Sequence, residues 1–353
     1  MTKEAEPAID GHKLYLHPQR ITQWMETGDC FPLHVEIGPV SACNHKCTFC
    51  ALDFVSKGKS IDTEVMVHAL KDMANHGVKS VMFCGTGEPT LHRDLGLFVQ
   101  QAKEFGLDVS LTTNGVYLDR LKREQCLPYL SWIKFSIDAG SKEGHSLIHG
   151  TSPDDFERVL ENIKESVRFK RENHLECTIG TQFVMIQQNS NELLRLIERL
   201  REIEPDYLSI KPYADHPKSS KRLALDVAGY DKIKKDLKGI KTPNFKILFR
   251  EETIGRLMEE KTYPQCNGIC FTTLLDSKGN LLPCNLFYED PEFVYGNLYE
   301  HSFSDIWNGE KRKEVLKRIK ERGISNCREA CKCDAMNKYL NRLVSPLGHD
   351  NFP

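Results

Sequence analysis

Cys43, Cys47 and Cys50 lie within one short segment, CNHKCTFC, and Cys266, Cys270, Cys284, Cys327, Cys331 and Cys333 form a second group toward the C-terminus. Thiolates are ligands of soft metal centres, and both zinc and iron-sulfur clusters accept them. A 4Fe-4S cube is fully held by four thiolates. Three cysteines in the first group would leave one iron open, and an open coordination position is what separates a reactive metal site from a structural one. Spacing alone leaves other readings standing: a zinc site completed by His45 or a distant ligand, or three buried thiols that meet no metal. Four further cysteines, Cys30, Cys84, Cys126 and Cys177, stand singly and read as small buried hydrophobes without chemistry.

The elements that must carry these residues are legible as alternating patterns. Short apolar runs occur at HVEIG (34–38), SVMFC (80–84), DVSLTT (108–113), WIKFSID (132–138), ECTIGTQFV (176–184) and DYLSIK (206–211), with amphipathic helical stretches between them. Strands alternating with helices predict an α/β architecture around a parallel sheet. One helix follows Asp62 with Val65, Ala69, Leu70 and Met73 on a face, and a second runs from Asp94 to Gly106. A third opens at Ser152-Pro153-Asp155, and a fourth at Asn191 buries Leu193, Leu194, Ile197 and Leu200. After Pro212 the pattern degrades into Lys- and Asp-rich sequence through about Gly239. A last amphipathic helix is expected over 304–322, and the tail from Asn341 shows no periodicity.

Composition narrows the function classes. The 353 residues, 40% hydrophobic and 28% charged, suit one large domain with an appendage. A net charge of -2, from 48 basic and 50 acidic residues, supplies no broad positive field, so nucleic acid is excluded as a default partner. No apolar run reaches the roughly 18 residues of a membrane span, and Met1 to Asp10 has no apolar core of the signal-peptide kind. No membrane association is expected. In a reducing cytoplasm, the expected location, clustered cysteines point to metal binding rather than disulfides.

CNHKCTFC directly follows the first strand, where barrel-type α/β folds place their chemistry. It resembles the CxxxCxxC signature of the radical S-adenosylmethionine (SAM) superfamily, with Phe49 in the aromatic place before the third cysteine. The second strand runs into GTGEPT, similar to that family's GGE element with Thr86 in place of the first glycine. LTTNG (111–115) and FSIDAG (135–140) resemble its later strand-end segments. The resemblance implies a partial (βα)6 barrel over residues 34–213. It implies a 4Fe-4S cluster on Cys43, Cys47 and Cys50, and S-adenosyl-L-methionine bound near Phe49, Gly85, Gly87, Glu88, Pro89, Asn114, Ser136 and Asp138. Strand-end glycines let backbone approach a ligand, and Glu88 offers a carboxylate to an ammonium group. Asp138 could equally cap the turn at Gly140.

The second cysteine group could fully ligate another cluster or form a zinc ribbon. Its GxxxxC ending (Gly279 to Cys284) and GNLYEHSFSDIWNG (296–309) resemble the SPASM or twitch extension of the same superfamily, here as a small C-terminal auxiliary-cluster domain. That resemblance implies one auxiliary 4Fe-4S cluster on Cys266, Cys284, Cys327 and Cys331, with Cys270 and Cys333 as alternates. The organisation expected is an N-terminal extension (1–33), the barrel (34–213), a linker or substrate-side segment (214–262), the auxiliary region (263–340) and a tail (341–353).

The function implied is hydrogen abstraction by a 5'-deoxyadenosyl radical from a small-molecule or glycosyl substrate, with alcohol dehydrogenation as the leading outcome and a flavodoxin or ferredoxin as electron donor. Epimerases and peptide-modifying maturases share the extension, but no peptide-binding domain is recognisable before the barrel. Alternation on the last strands aims Gln182 and Lys211 at the barrel mouth, although Lys211 could equally be a solvated strand-end charge. His145 and His149 are expected in a surface loop without a catalytic role. The rival from another class is a zinc-stabilised binding module that performs no chemistry.

Overall fold

A computed structural model describes residues 12–224, 227–237, 240, 242 and 244–352. The part of the N-terminal extension over 1–11, its apolar content included, and the end of the polar stretch near Gly239 lie outside the described residues. The six expected strands all form: β1 (His34–Ile37), β2 (Ser80–Phe83), β3 (Asp108–Thr113), β4 (Trp132–Ser136), β5 (Thr178–Met185) and β6 (Tyr207–Pro212). They lie side by side in sequence order, every neighbouring pair parallel, with His34 opposite Ser80 and Ser110 opposite Trp132.

The sheet does not stop at six. β7 (Lys246–Phe249) adds in parallel beyond β6, and β8 (Thr272–Leu275) adds in parallel outside β1. β9 (Asn280–Leu282) and β10 (Gly296–Asn297) continue antiparallel from β8, giving one ten-stranded sheet. The stretch expected as a linker thus contributes a strand and two helices, Val227–Leu237 and Glu251–Met258. β7 is not legible in the sequence because it is an edge strand whose side chains are only half covered, so KILF lacks the apolar flanks of a central strand.

Alternation along the strands separates two faces. On β4, Ile133 and Phe135 are wholly buried under the helices, while Trp132, Lys134 and Ser136 face the sheet's inner side. The outer helices bury the stripes expected of them, among them Phe156, Val159, Leu160, Ile163 and Val167 on Asp154–Glu172. On Leu193–Ile203 the buried stripe is Leu193, Leu196, Ile197, Leu200 and Ile203, and Leu194 is exposed, a shift of one position in the helical face. The helix expected over 304–322 is two, Phe303–Asn308 and Glu310–Arg322, broken at Gly309; the tail begins inside the helix Asp334–Val344. No helix among the described residues is long and apolar enough to cross a membrane.

Candidate metal and cofactor centre

The strand ends and the C-terminal region deliver most of the singled-out residues to one cavity of about 630 Å³, of whose lining Pro89, Cys266 and Cys270 are not part. Cys43, Cys47, Phe49, Cys50, Gly85, Gly87, Glu88, Asn114, Ser136 and Asp138 line it on one side. Cys284, Cys327, Cys331 and Cys333 line it on the other, with Gln182 and Lys211 between.

The CNHKCTFC loop is held by backbone rather than by apolar packing. Lys46 and Thr48 donate their N–H groups to the carbonyls of His149 and Ile148, each at 2.8 Å, and the Lys221 ammonium donates to the carbonyl of Cys47. Glu88 N–H donates to Ala42 at 2.8 Å, joining the loop after β2 to the loop after β1. Gly87 makes that approach possible: a Cβ there would stand 2.3 Å from the Ala42 oxygen and 2.5 Å from that of Val40. Close approach at this glycine therefore serves the neighbouring loop, and Gly87 lines the cavity as well. Gly85 has φ +112°, a left-handed-side conformation that glycine tolerates.

Glu88 is committed inside the protein. One carboxylate oxygen accepts from Thr90 N–H (3.1 Å), Thr90 Oγ1 (2.7 Å) and Thr113 Oγ1 (2.6 Å), and the other from Asn114 N–H (2.7 Å). Burial pushes its pKa up against these bonds. Three donors converge on Oε1 and one on Oε2, so Glu88 fixes the ends of β2 and β3 relative to each other, and Oε2 keeps an acceptor position for an ammonium group in the cavity that Glu88 lines. Pro89 opens the short 3-10 turn Pro89–Leu91 that Glu88 caps. Asn114 donates from its side chain to Asn44 Oδ1 at 2.8 Å, tying β3 to the cysteine loop.

His145 and His149 are not on the surface. They lie on the inner face of the helix Lys142–His149 and are almost fully buried. His149 Nδ1 sits 3.3 Å from Cys47 Sγ, while its Nε2 lies 3.3 Å from the Asp138 N–H and 3.3 Å from Asp138 Oδ2. Burial, then the neighbouring His145 and His45, drives the His149 pKa well down, so the ring is neutral. Nδ1–H donating to sulfur and Nε2 accepting from Asp138 is the tautomer both contacts allow. Asp138 does not cap the turn at Gly140; its Oδ1 accepts from Val184 N–H, and burial pushes its carboxyl up to about 7. A loop-like composition, EGHSLIHG, hid the helix, but His145 and His149 share one face at i, i+4 and that spacing was the available signal. Phe49 stands edge-on to the His149 ring at 6.0 Å.

The donor sets can be tested for fit. Burial pushes the Cys43 and Cys47 thiols up, with Asp138 adding to the effect at Cys47 and the Cys50 thiolate lying close enough to act on both. In the second group Cys331 contacts both Cys327 and Cys333, and Cys266 and Cys284 lie within its field. Cys270 diverges into an apolar cluster with Trp24, Cys30 and Phe271, its carbonyl accepting from Cys30 Sγ at 3.5 Å. Five thiols thus lie within one another's field, enough to supply an all-thiolate cluster, and the three of the first group would leave one iron of a 4Fe-4S cube open. A buried polar atom without a hydrogen-bond partner, Asp138 Oδ2, belongs to a residue that lines the cavity where a polar cofactor would lie. A different set, His45, Cys47 and His149, brings its ligand atoms within 4.8 Å of one another. That set keeps zinc open on geometry alone.

Comparison with known proteins decides the family. Residues 37–200 match the model of the radical SAM superfamily, and residues 249–334 match that of the SPASM iron-sulfur cluster-binding domain. The chain belongs to the radical SAM superfamily and carries an SPASM domain. A 4Fe-4S cluster, S-adenosylmethionine and auxiliary iron-sulfur binding are the cofactors these two domains imply. The chain is 35% identical over 158 residues to a probable GTP 3',8-cyclase of Saccharolobus islandicus (strain M.14.25 / Kamchatka #1), covering 44% of this chain and 49% of that protein. A probable GTP 3',8-cyclase of Saccharolobus solfataricus is 34% identical over 160 residues with the same coverage. The chain spans about half the length of these relatives. Among solved structures, Streptococcus suis SuiB bound to S-adenosylmethionine superposes with a TM-score of 0.66 at 20% identity, over 86% of this chain and 72% of SuiB. anSMEcpe with bound AdoMet gives 0.60 at 19% identity over 88% and 96%. At such identities the likeness is one of fold.

Proposed function

We propose that this radical SAM protein takes a hydrogen atom from a carbon of a small polar substrate held in the cavity between its two thiol groups. Cys43, Cys47 and Cys50 would hold the cofactor-binding cluster, and four of Cys266, Cys284, Cys327, Cys331 and Cys333 the auxiliary one. The carrying observation is the shared cavity: both groups line it, and polar side chains from β4, β5 and β6 fill the space between. When bound, the cofactors supply reductive cleavage of S-adenosylmethionine to methionine and a 5'-deoxyadenosyl radical.

The chain's own residues position that chemistry. Glu88 and Asn114 lock three strand-end loops into one surface, the Lys142–His149 helix braces Cys47, and Gln182 and Lys211 face the substrate space. With a second thiol group on the far wall, the net outcome favoured is oxidation of an alcohol to a ketone. The carbon gives up its hydrogen atom, and the remaining electron and the hydroxyl proton leave toward the auxiliary side and solvent.

Anaerobic reconstitution followed by assay for 5'-deoxyadenosine tests the reading. Reduced wild-type protein should form it, and Cys47→Ala should abolish it. A colourless protein containing zinc and no acid-labile sulfide would replace this reading with the zinc-stabilised module built on His45, Cys47 and His149. Solvent deuterium found in an isomerised product would replace oxidation with epimerisation.

A further inference from the structure

The wall of the cavity carries a cluster of positive charge. Lys134, Lys211, Arg250, Arg256, Arg328 and Lys332 all line it, against Glu36, Glu88 and Asp138. Three of the cations have evident protein partners: Lys332 pairs with Glu36 at 2.7 Å, Arg256 faces Glu252 at 3.5 Å, and Arg328 donates to the carbonyls of Ala214 and Asp215. Lys332 and Arg328 also adjoin Cys327, Cys331 and Cys333 and offset the charge of those thiolates.

Lys134 and Lys211 differ. Neither ammonium has a hydrogen bond or a carboxylate partner among the described residues; Lys134 Nζ has only the Trp132 ring, 5.6 Å away. Strand parity aims Lys134 inward between Ile133 and Phe135, which are buried on the opposite face. Lys211 comes inward from β6. The Arg250 N–H, just beyond β7, donates to the carbonyl of Ile210 at 2.9 Å, which brings its side chain to the same end of the cavity. Burial lowers the pKa of Lys134 to about 7 and of Lys211 to about 8, and the strongest charge effect on Lys134 is Lys211, on Lys211 it is Arg250. β4, β6 and the end of β7 thus crowd like charges into one place at a cost the fold alone does not require.

We propose that Lys134, Lys211 and Arg250 form the seat for a phosphoryl group on the substrate, which would make the substrate a phosphorylated or nucleotide-linked small molecule. The proposal rests on the reading that the substrate occupies this cavity. One carboxylate would offset a single cation. A phosphate monoester carries about -1.5 to -2 charge and three acceptor oxygens, which matches three converging donors. The Gln182 amide, which has no protein hydrogen bond among the described residues, lies on β5 between them and can hydrogen-bond a neighbouring hydroxyl.

Calorimetry on the anaerobically reconstituted holoenzyme tests the seat with inorganic pyrophosphate, citrate and S-adenosylmethionine. Pyrophosphate should bind wild type and outcompete citrate. Lys134→Met and Lys211→Met should each weaken pyrophosphate by about tenfold or more, as expected for one lost charged hydrogen bond. Affinity for S-adenosylmethionine should stay within about twofold. Should a variant fail to take up iron, phosphorus-31 relaxation on wild type decides instead: pyrophosphate broadened by the reduced paramagnetic clusters supports the seat. Absence of pyrophosphate binding, equal or better binding of citrate, or an equal loss of S-adenosylmethionine affinity in the variants would each overturn it. 5'-Deoxyadenosine formed by the same preparation without pyrophosphate binding would sink the seat while leaving the radical reading intact; no 5'-deoxyadenosine would sink that reading instead.

Discussion

At the scale of single residues, the informative contacts are those of side chains that the chemistry does not consume. His149 donates toward Cys47 Sγ across 3.3 Å. Hydrogen bonds to cluster sulfurs favour the more negative, reduced state. With Cys47 ligating as proposed, His149→Phe should lower the reduction potential of that cluster by on the order of 50 mV, a shift of roughly 1 kcal/mol for one electron, read by EPR-monitored redox titration. Lys134 makes a pH prediction. Its folded pKa, about 7, lies below the ordinary lysine value near ~10.4, so the folded protein gives up this proton before the unfolded chain does. The destabilisation is therefore complete below about pH 7 and relieved as pH rises from there. Lys134→Met should raise the melting temperature most at pH 6, and its advantage over wild type should shrink toward pH 10. A constant difference across that range would refute the burial of a charged amine.

At the scale of elements, the centre is built by loops that lock to one another before any cofactor is considered. The turn after β2 packs so closely on the loop after β1 that Gly87 has no room for a methyl group. Overpacking of this kind costs about 1–3 kcal/mol, and Gly87→Ala should lose that stability in chemical denaturation together with iron loading after reconstitution. A second lock is the carboxylate of Glu192, which accepts from Ser141 Oγ at 2.6 Å and Gly140 N–H at 3.1 Å and so anchors the start of the helix that carries His149. Strand positions were readable because each strand brings a short apolar run between amphipathic helical stretches, with the buried face alternating along it. The helix Lys142–His149 was not, because only eight residues long and rich in Gly, Ser and His it resembles a loop until its inner face is covered.

At the scale of the whole molecule, the cysteine-rich C-terminal region is continuous with the barrel sheet. β8 pairs with β1, and the Arg312 guanidinium, fully buried against the Trp307 ring at 3.7 Å, reaches back to Asp29, whose other oxygen lies 2.8 Å from it. Asp29→Asn would leave a buried cation uncompensated, an effect of about 3 kcal/mol. The melting temperature should fall accordingly, and the two thiol groups should lose iron together, because the strand pairing that sets one against the other is the same sheet. Independent loss of the auxiliary iron alone would show that the two halves are uncoupled.

The sequence by itself determined the six central strands, the order of their loops and many of the residues that reach the cavity, because side-chain periodicity and cysteine spacing are local properties. It also carried Gln182 and Lys211 to the right face by alternation alone. Only the tertiary structure decided which cysteines gather: Cys270 looked equivalent to Cys266 in spacing, yet one faces Trp24 and Phe271 and the other Cys331. Only it set the Glu88 carboxylate against Thr113 and Asn114, and brought Lys134, Lys211 and Arg250 together from strands far apart in the chain. The physical reason is common to these cases. Partners distant in sequence are set by strand order and register, and no local pattern encodes which strand a given one will lie beside.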